Sequence, residues 1–206
     1  MKPVRVFLTD DHDVVRMGLA ALLGTCGDIS VVGDADDGES TVLEVPALKP
    51  DVVIMDLMMP ETDGAETTRQ LIAKWPDAKV LILTTFSLSD GINRALEAGA
   101  KGALLKNSDL DGLRAAIHAV AEGRRYLSPE IEQIMTDDPP TPSLTPRQRE
   151  ILDSIVRGLS NTDIARQLGI SVPVVKEHLA QLFLKLGAAN RTEAVAIALR
   201  KQLLKV

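Results

Sequence analysis

At 206 residues, 45% of them apolar and 25% charged, the chain has room for one large globular domain or two modest ones. No apolar stretch approaches the roughly 20 residues that span a bilayer, and Met1-Lys2-Pro3-Val4 runs straight into a strand, so neither membrane insertion nor a signal peptide is expected. A single cysteine, Cys26, excludes an internal disulfide and suits a reducing cytoplasm. Cys26 falls on the stripe Val15, Leu19, Leu22, Cys26 and reads as a core thiol.

The net charge of −6 hides an asymmetry. Residues 1–143 hold 13 basic and 24 acidic side chains, whereas residues 144–206 hold 10 and 5. An acidic body joined to a basic tail suggests that the second part meets a polyanion, with a solvated charged surface as the plainer reading.

In chain order, strands are expected at 4–9, 29–34, 52–56, 79–84 and 102–105. Helices are expected at 13–26, 38–48, 64–75, 88–99 and 108–122. This alternation predicts a doubly wound α/β domain with a parallel five-stranded sheet over residues 1–125. Pro46 should kink or shorten the second helix. Residues 126–143 read as a linker, with a short helix near 129–135 and a proline-rich end, Thr136 to Ser143, that favours an extended spacer. Residues 144–206 read as a small all-α domain of four helices. Thr145, Ser160, Ser171 and Asn190 stand as N-caps, and Thr145-Pro146-Arg147-Gln148 forms a capping box. The two helices flanking Gly169-Ile170-Ser171 make a helix-turn-helix.

The chemistry gathers at strand ends. The first strand ends in Asp10-Asp11, the third in Asp56, the fourth in Thr84 and the fifth in Lys106. In an open parallel sheet the carboxyl edge is where ligands bind. Three carboxylates, a hydroxyl and an ammonium on one pocket suit a divalent cation and a phosphoryl group. Asp11 and Asp56 would ligate Mg²⁺ directly, with Asp10 acting through water. Asp56 would then attack phosphorus, Lys106 would pair with the new charge and Thr84 would hydrogen-bond a phosphoryl oxygen. Taken singly, the acidic pair reads as a turn or cap, Lys106 as a surface charge and Thr84 as an ordinary strand residue. His12, His118 and His178 have no partners at metal-ligand spacing and are assigned no metal.

These residues, with Met55-Asp56-Leu57-Met58-Met59-Pro60 and Asp63-Gly64, resemble the flavodoxin-like receiver domain of two-component response regulators. Leu144 to Glu150, Gly158-Leu159-Ser160-Asn161 and Val175-Lys176-Glu177-His178 resemble the LuxR-type output domain. Together they look like a NarL/FixJ-type response regulator. The resemblance implies Mg²⁺ held also by the backbone carbonyl of Met58, a partner histidine kinase, double-stranded DNA, and a homodimer when phosphorylated or DNA-bound. It also implies a cytoplasmic protein that takes a phosphoryl group on Asp56 without being a turnover enzyme. The family carries an aromatic three residues before the lysine, where this chain has Ala103. Activation is therefore expected to pass through Thr84-Thr85-Phe86 and the helix beginning near Leu88.

In the second helix of the helix-turn-helix, Val175, Leu179, Leu182 and Leu186 share one side and should face the core. Pro173, Lys176, Glu177, Ala180, Gln181 and Leu184 face away. Recognition helices contact bases mainly through their first turns. Lys176 is thus the first candidate, for guanine or phosphate, and Gln181 the second. Asn161, Arg147 and Arg191 stand near helix starts and would hold phosphates. Glu177 departs from the family and either accepts a hydrogen bond from cytosine N4 or points away passively. Ala194, Val195, Ala198 and Leu199 of the last helix either form a dimer seam or pack within their own domain. Two other readings stay open. One is a phosphorylation-gated protein-binding regulator with weak or no specific DNA binding. The other is a haloacid-dehalogenase-type phosphatase, which Asp11-His12-Asp13 faintly resembles without the family's following turn.

Overall fold

The computed structural model describes residues 2–60, 63–85, 89–141, 144–201 and 203–204. It divides into two compact units, Met1–Asp138 and Pro139–Val206.

In the first unit, strands and helices alternate: β1 (Val4–Thr9), α1 (Asp13–Gly24), β2 (Ile29–Ala35), α2 (Gly38–Leu48), β3 (Val52–Asp56), α3 (Gly64–Lys74), β4 (Val80–Thr84), α4 (Ser89–Glu97), β5 (Gly102–Leu105) and α5 (Leu110–Ala121). A two-residue β6 (Tyr126–Leu127) and α6 (Pro129–Asp137) complete it. The described strands form one parallel sheet in the order β2-β1-β3-β4-β5-β6. Strand order reverses between β1 and β3, and the crevice above that point is where such sheets bind ligands.

Every residue of β3 and β4 is buried, as expected for interior parallel strands covered on both faces. Side chains alternate between the two layers. Phe7, Val53, Met55, Val80 and Ile82 face α2, α3 and α4 through Val45, Leu71 and Ile92. Val6, Leu8, Ile54, Leu81 and Leu104 face α1 and α5 through Leu23, Leu113, Ile117 and Val120.

Four details depart from the sequence expectation. The sheet gains β6, whose two residues are too few to show alternation. Gly102 admits it, because a Cβ there would lie 2.6 Å from the Tyr126 carbonyl oxygen. Helix α2 runs through Pro46 to Leu48. Proline lacks the N–H that would reach Val42, and the freed Val42 carbonyl accepts a hydrogen bond from Lys74 Nζ at 3.0 Å instead. In α1 it is Leu23 that is fully buried, while Leu22 is 41% exposed. That helix is turned so that Arg16 faces inward, held by bonds to the Asp10 carbonyl and Asp34. Cys26 is only partly buried, packed against the core.

The second unit consists of α7 (Pro146–Val156), α8 (Asn161–Leu168), α9 (Val172–Leu186) and α10 (Arg191–Arg200). The capping box forms, with the Gln148 N–H donating to Thr145 Oγ1 and the Thr145 N–H to Gln148 Oε1. Ser160 and Asn190 cap through their side chains, whereas Ser171 occupies the N-cap of α9 without a side-chain bond. Ile151, Leu152, Ile155 and Ile164 pack with the inner face of α9 and with Ala194 and Ala198 of α10.

Candidate functional site

The first site lies at the carboxyl edge of the sheet. Asp10 follows β1, Asp56 closes β3 and Thr84 closes β4, and all three are buried. Lys106, just past β5, reaches between two of them. Its Nζ lies 2.6 Å from Asp10 Oδ2 and 2.9 Å from Asp56 Oδ2. The Lys106 backbone N–H donates to the Thr84 carbonyl at 2.8 Å, which fixes the lysine against the end of β4. Asp11 is partly exposed at the rim, and its Oδ1 lies 3.0 Å from His12 Nδ1. The Met58 N–H turns back towards Asp56 Oδ1 at 3.4 Å.

Burial pushes the Asp56 carboxyl above the usual carboxylate range. Lys106 opposes that shift through its hydrogen bond and charge, and the neighbouring charge of Asp10 adds to it. For Lys106, burial pulls downward, but hydrogen bonds and charges from Asp10 and Asp56 prevail and raise it. The lysine therefore stays protonated, as a fixed cation between two acids. One cation against three nearby carboxylates leaves negative charge, and the oxygen donors are those a hard divalent cation takes. Asp10, Asp11 and His12 bring ligand atoms within 4.8 Å of one another. The exposed imidazole belongs to the rim rather than to the acid pair at the strand ends. The donor set thus fits Mg²⁺.

One supporting residue, Arg16, carried little sequence signal, while Gly64 was legible only as part of a motif. Arg16 donates to the Asp10 carbonyl at 2.6 Å and to Asp34 at 2.9 Å, and pairs with Asp13, anchoring the loop that presents the acids. Gly64 begins α3 where a Cβ would stand 2.1 Å from the Asp56 carbonyl oxygen. Only glycine allows that helix start to close on the strand end. Asp63 caps α3 through the Glu66 N–H and pairs with Arg94 of α4 at 2.7 Å. Thr85 follows β4, while Phe86 and Leu88, named for the switch, lie outside the described residues. Ala103 is fully buried.

The second site is the helix-turn-helix of α8 and α9. Val175, Leu179, Leu182 and Leu186 are buried, and Lys176, Glu177, Ala180 and Gln181 are exposed. Asn161 is half-buried at the start of α8. The two arginines are tied elsewhere. Arg147 bonds the Leu168 carbonyl at the end of α8 and Glu150. Arg191 reaches the Ile155 carbonyl in the last turn of α7 and the Leu159 carbonyl in the loop before α8. Each guanidinium thereby bonds one carbonyl in the last turn of a helix, where intrahelical donors are lacking. On α10, Ala194 and Ala198 are buried in the unit's own core, while Leu199 is half-exposed.

Comparison with known proteins agrees with this division. The response regulator receiver domain model matches residues 6–118, and the model for bacterial regulatory proteins of the luxR family matches residues 142–198. Transcriptional regulatory protein LiaR of Bacillus subtilis is 38% identical over 208 residues, spanning 97% of this chain and 99% of LiaR. Response regulator protein VraR of Staphylococcus aureus strain Mu3 is 34% identical over 207 residues, spanning 98% and 99%. The crystal structure of response regulator ChrA, of a heme-sensing two-component system, is 41% identical with a TM-score of 0.59, covering 99% of this chain and all of ChrA. RcsB from Salmonella enterica serovar Typhimurium, in a structure bound to a promoter with a phosphomimetic, has a TM-score of 0.71 over 95% and 98% of the two chains. At 23% identity that likeness speaks to the fold alone. No described helix is long and apolar enough to cross a membrane. The chain belongs to the response regulators, joining a receiver domain to a luxR-type DNA-binding domain, and regulates transcription.

Proposed function

We propose that Asp56 is the phosphoacceptor and that its modification, by a partner histidine kinase, controls binding of the second unit to DNA. The observation that carries this reading is the lysine-bridged acid pair, Asp10 and Asp56, above the strand-order reversal. An Asp56 carboxylate oxygen attacks phosphorus. The bond from phosphorus to the donor's imidazole nitrogen breaks as the new P–O bond forms, and the leaving nitrogen takes a proton from solvent. Asp10, Asp11, Asp56 and the Met58 carbonyl would hold Mg²⁺, which offsets the charge brought together by acid and phosphoryl group. Lys106 keeps a protonated ammonium beside the acceptor and pairs with the phosphoryl oxygens. Thr84, at the end of β4, donates its hydroxyl to another of them. Asp56 is consumed once per signal, so the chain acts as a switch rather than a turnover enzyme.

A full switch from 1:99 to 99:1 requires about 5.5 kcal/mol of differential stabilisation. One charge-assisted contact supplies about 1.5–3 kcal/mol. Homodimerisation on paired half-sites supplies the remainder in this account. In the second unit, Lys176 reads guanine or phosphate, with Glu177, Ala180 and Gln181 facing the groove beside it. Asn161 holds a phosphate. Arg147 and Arg191 hold phosphates only with the donors left over from their helix-end bonds. The protein works in the cytoplasm, where kinase and chromosome are both reached.

The test is intact-mass analysis after incubation with acetyl phosphate and Mg²⁺. Wild type should gain one phosphoryl group and Asp56→Asn none. Labelling that persists in the variant would move the acceptor elsewhere.

A further inference from the structure

Helix α4 touches the segment between β3 and α3 at both of its ends. Gly91 meets Leu57, the residue after Asp56, so closely that a Cβ at 91 would stand 3.0 Å from Leu57 Cδ2. Leu57 is buried, which places this contact in the core. Three positions on, Arg94 Nη1 donates to Asp63 Oδ2 at 2.7 Å. Residues three apart share a helix face, so one face of α4 holds Leu57 and Asp63 together. The other carboxylate oxygen of Asp63 accepts from the Glu66 N–H at 2.7 Å and caps α3. Asp63 also reaches the acceptor by a short route. Its neighbour Gly64 donates an N–H to the Leu57 carbonyl at 2.9 Å, and Gly64 lies directly against the Asp56 carbonyl. The Met58 N–H in turn points at Asp56 Oδ1.

We propose that Arg94 is a positioning residue for the Mg²⁺ site. Through Asp63 and Gly64 it fixes the end of β3, and with it the Asp56 carboxylate and the Met58 carbonyl. The proposal rests on the reading that these two groups hold the cation. Mg²⁺ demands near-ideal octahedral geometry, so ligands that are free to shift bind it weakly. Partners that orient metal ligands from behind cost about 10–100-fold in affinity when they are removed. An ion pair between fully exposed side chains would contribute little. This one differs, because Asp63 is only 19% exposed and each of its carboxylate oxygens accepts from a donor of a different helix. The guanidinium therefore meets a carboxylate that is already held in place. Arg94 touches neither metal nor phosphoryl group, and it acts only through Asp63.

Titration of the full chain with Mg²⁺ alone, followed by amide NMR shifts, tests this. Arg94→Ala should bind Mg²⁺ about tenfold more weakly than wild type. Asp63→Asn should do the same, because asparagine keeps the α3 cap and loses the charge that Arg94 holds. The double variant should stay near about tenfold, since both changes remove one interaction. In labelling by acetyl phosphate, the Mg²⁺ concentration for half-maximal rate should rise by the same factor. The rate at saturating Mg²⁺ should stay within about twofold of wild type, as expected when only binding is lost. Wild-type Mg²⁺ affinity in Arg94→Ala, or losses that multiply in the double variant, would overturn the proposal. Asp56→Asn should also bind Mg²⁺ more weakly. Wild-type affinity in that variant would overturn the ligand reading beneath the proposal, so the two failures are distinguishable.

Discussion

Lys106 Nζ stands 2.9 Å from Asp56 Oδ2, with Asp10 on its other side. The lysine therefore offsets acid–acid repulsion in the absence of a divalent cation. Lys106→Ala should lower stability in EDTA by about 1–3 kcal/mol, because buried charge loses its partner. It should also bind Mg²⁺ more tightly than wild type. A cation at a hundred times its Kd adds about 2.7 kcal/mol of stability. Thermal unfolding against Mg²⁺ concentration reads both effects. Equal Mg²⁺ midpoints in the two proteins would show that the lysine does not compete with the metal.

Gly64→Ala offers opposed expectations. In an ordinary helix interior, alanine is favoured over glycine by about 1 kcal/mol. Here the added Cβ would meet the Asp56 carbonyl at 2.1 Å, so α3 or the end of β3 must move. The expected result is a loss of about 1–3 kcal/mol and slower labelling of Asp56 by acetyl phosphate. A stabilised variant with normal labelling would contradict the close approach.

Asp28, between α1 and β2, carries a pH dependence of its own. Its Oδ2 accepts from Arg114 Nε at 2.9 Å and lies 2.7 Å from His118 Nε2. The Arg114 hydrogen bond, more than the His118 one, holds the carboxyl below its usual range. A depressed folded value means the contribution is present above the unfolded pKa of about 3.9 and is lost as pH falls through the folded value. Asp28→Asn should therefore flatten the acid limb of a plot of melting temperature against pH. An acid limb identical to wild type would assign that slope to other carboxylates.

The site acids were legible because strand ends are legible. The runs closing on Asp10, Asp56 and Thr84 are continuous and apolar, and a buried parallel strand has to read that way. Arg16 was not legible. Its partners, the Asp10 carbonyl and Asp34, come together only through the fold, and they turn α1 so that Leu23 rather than Leu22 is buried. Lys74 likewise rescues Pro46 from 28 residues away in sequence. β6 escaped notice because two residues show no period. In the second unit, periodicity located the α9 core face. It said nothing about the helix-end carbonyls that occupy Arg147 and Arg191.

Those arginines separate from Lys176 by experiment. Lys176→Ala should weaken specific DNA binding by about 1–3 kcal/mol if the contact is to guanine, or lower the salt slope by about 1 if it is to phosphate. Stability should change by less than about 0.5 kcal/mol, since the side chain is exposed. Arg147→Ala and Arg191→Ala should each cost about 1 kcal/mol in the unfolding of the second unit. Stability losses for Lys176 and none for the arginines would reverse the assignment.

The most direct test of the whole account is selection of genomic DNA fragments by the purified protein, with and without acetyl phosphate and Mg²⁺, with Asp56→Asn run alongside. The account predicts one enriched motif, enriched more strongly with the phosphodonor, and no such gain for the variant. Enrichment that ignores the phosphodonor, or an equal gain in Asp56→Asn, would contradict it.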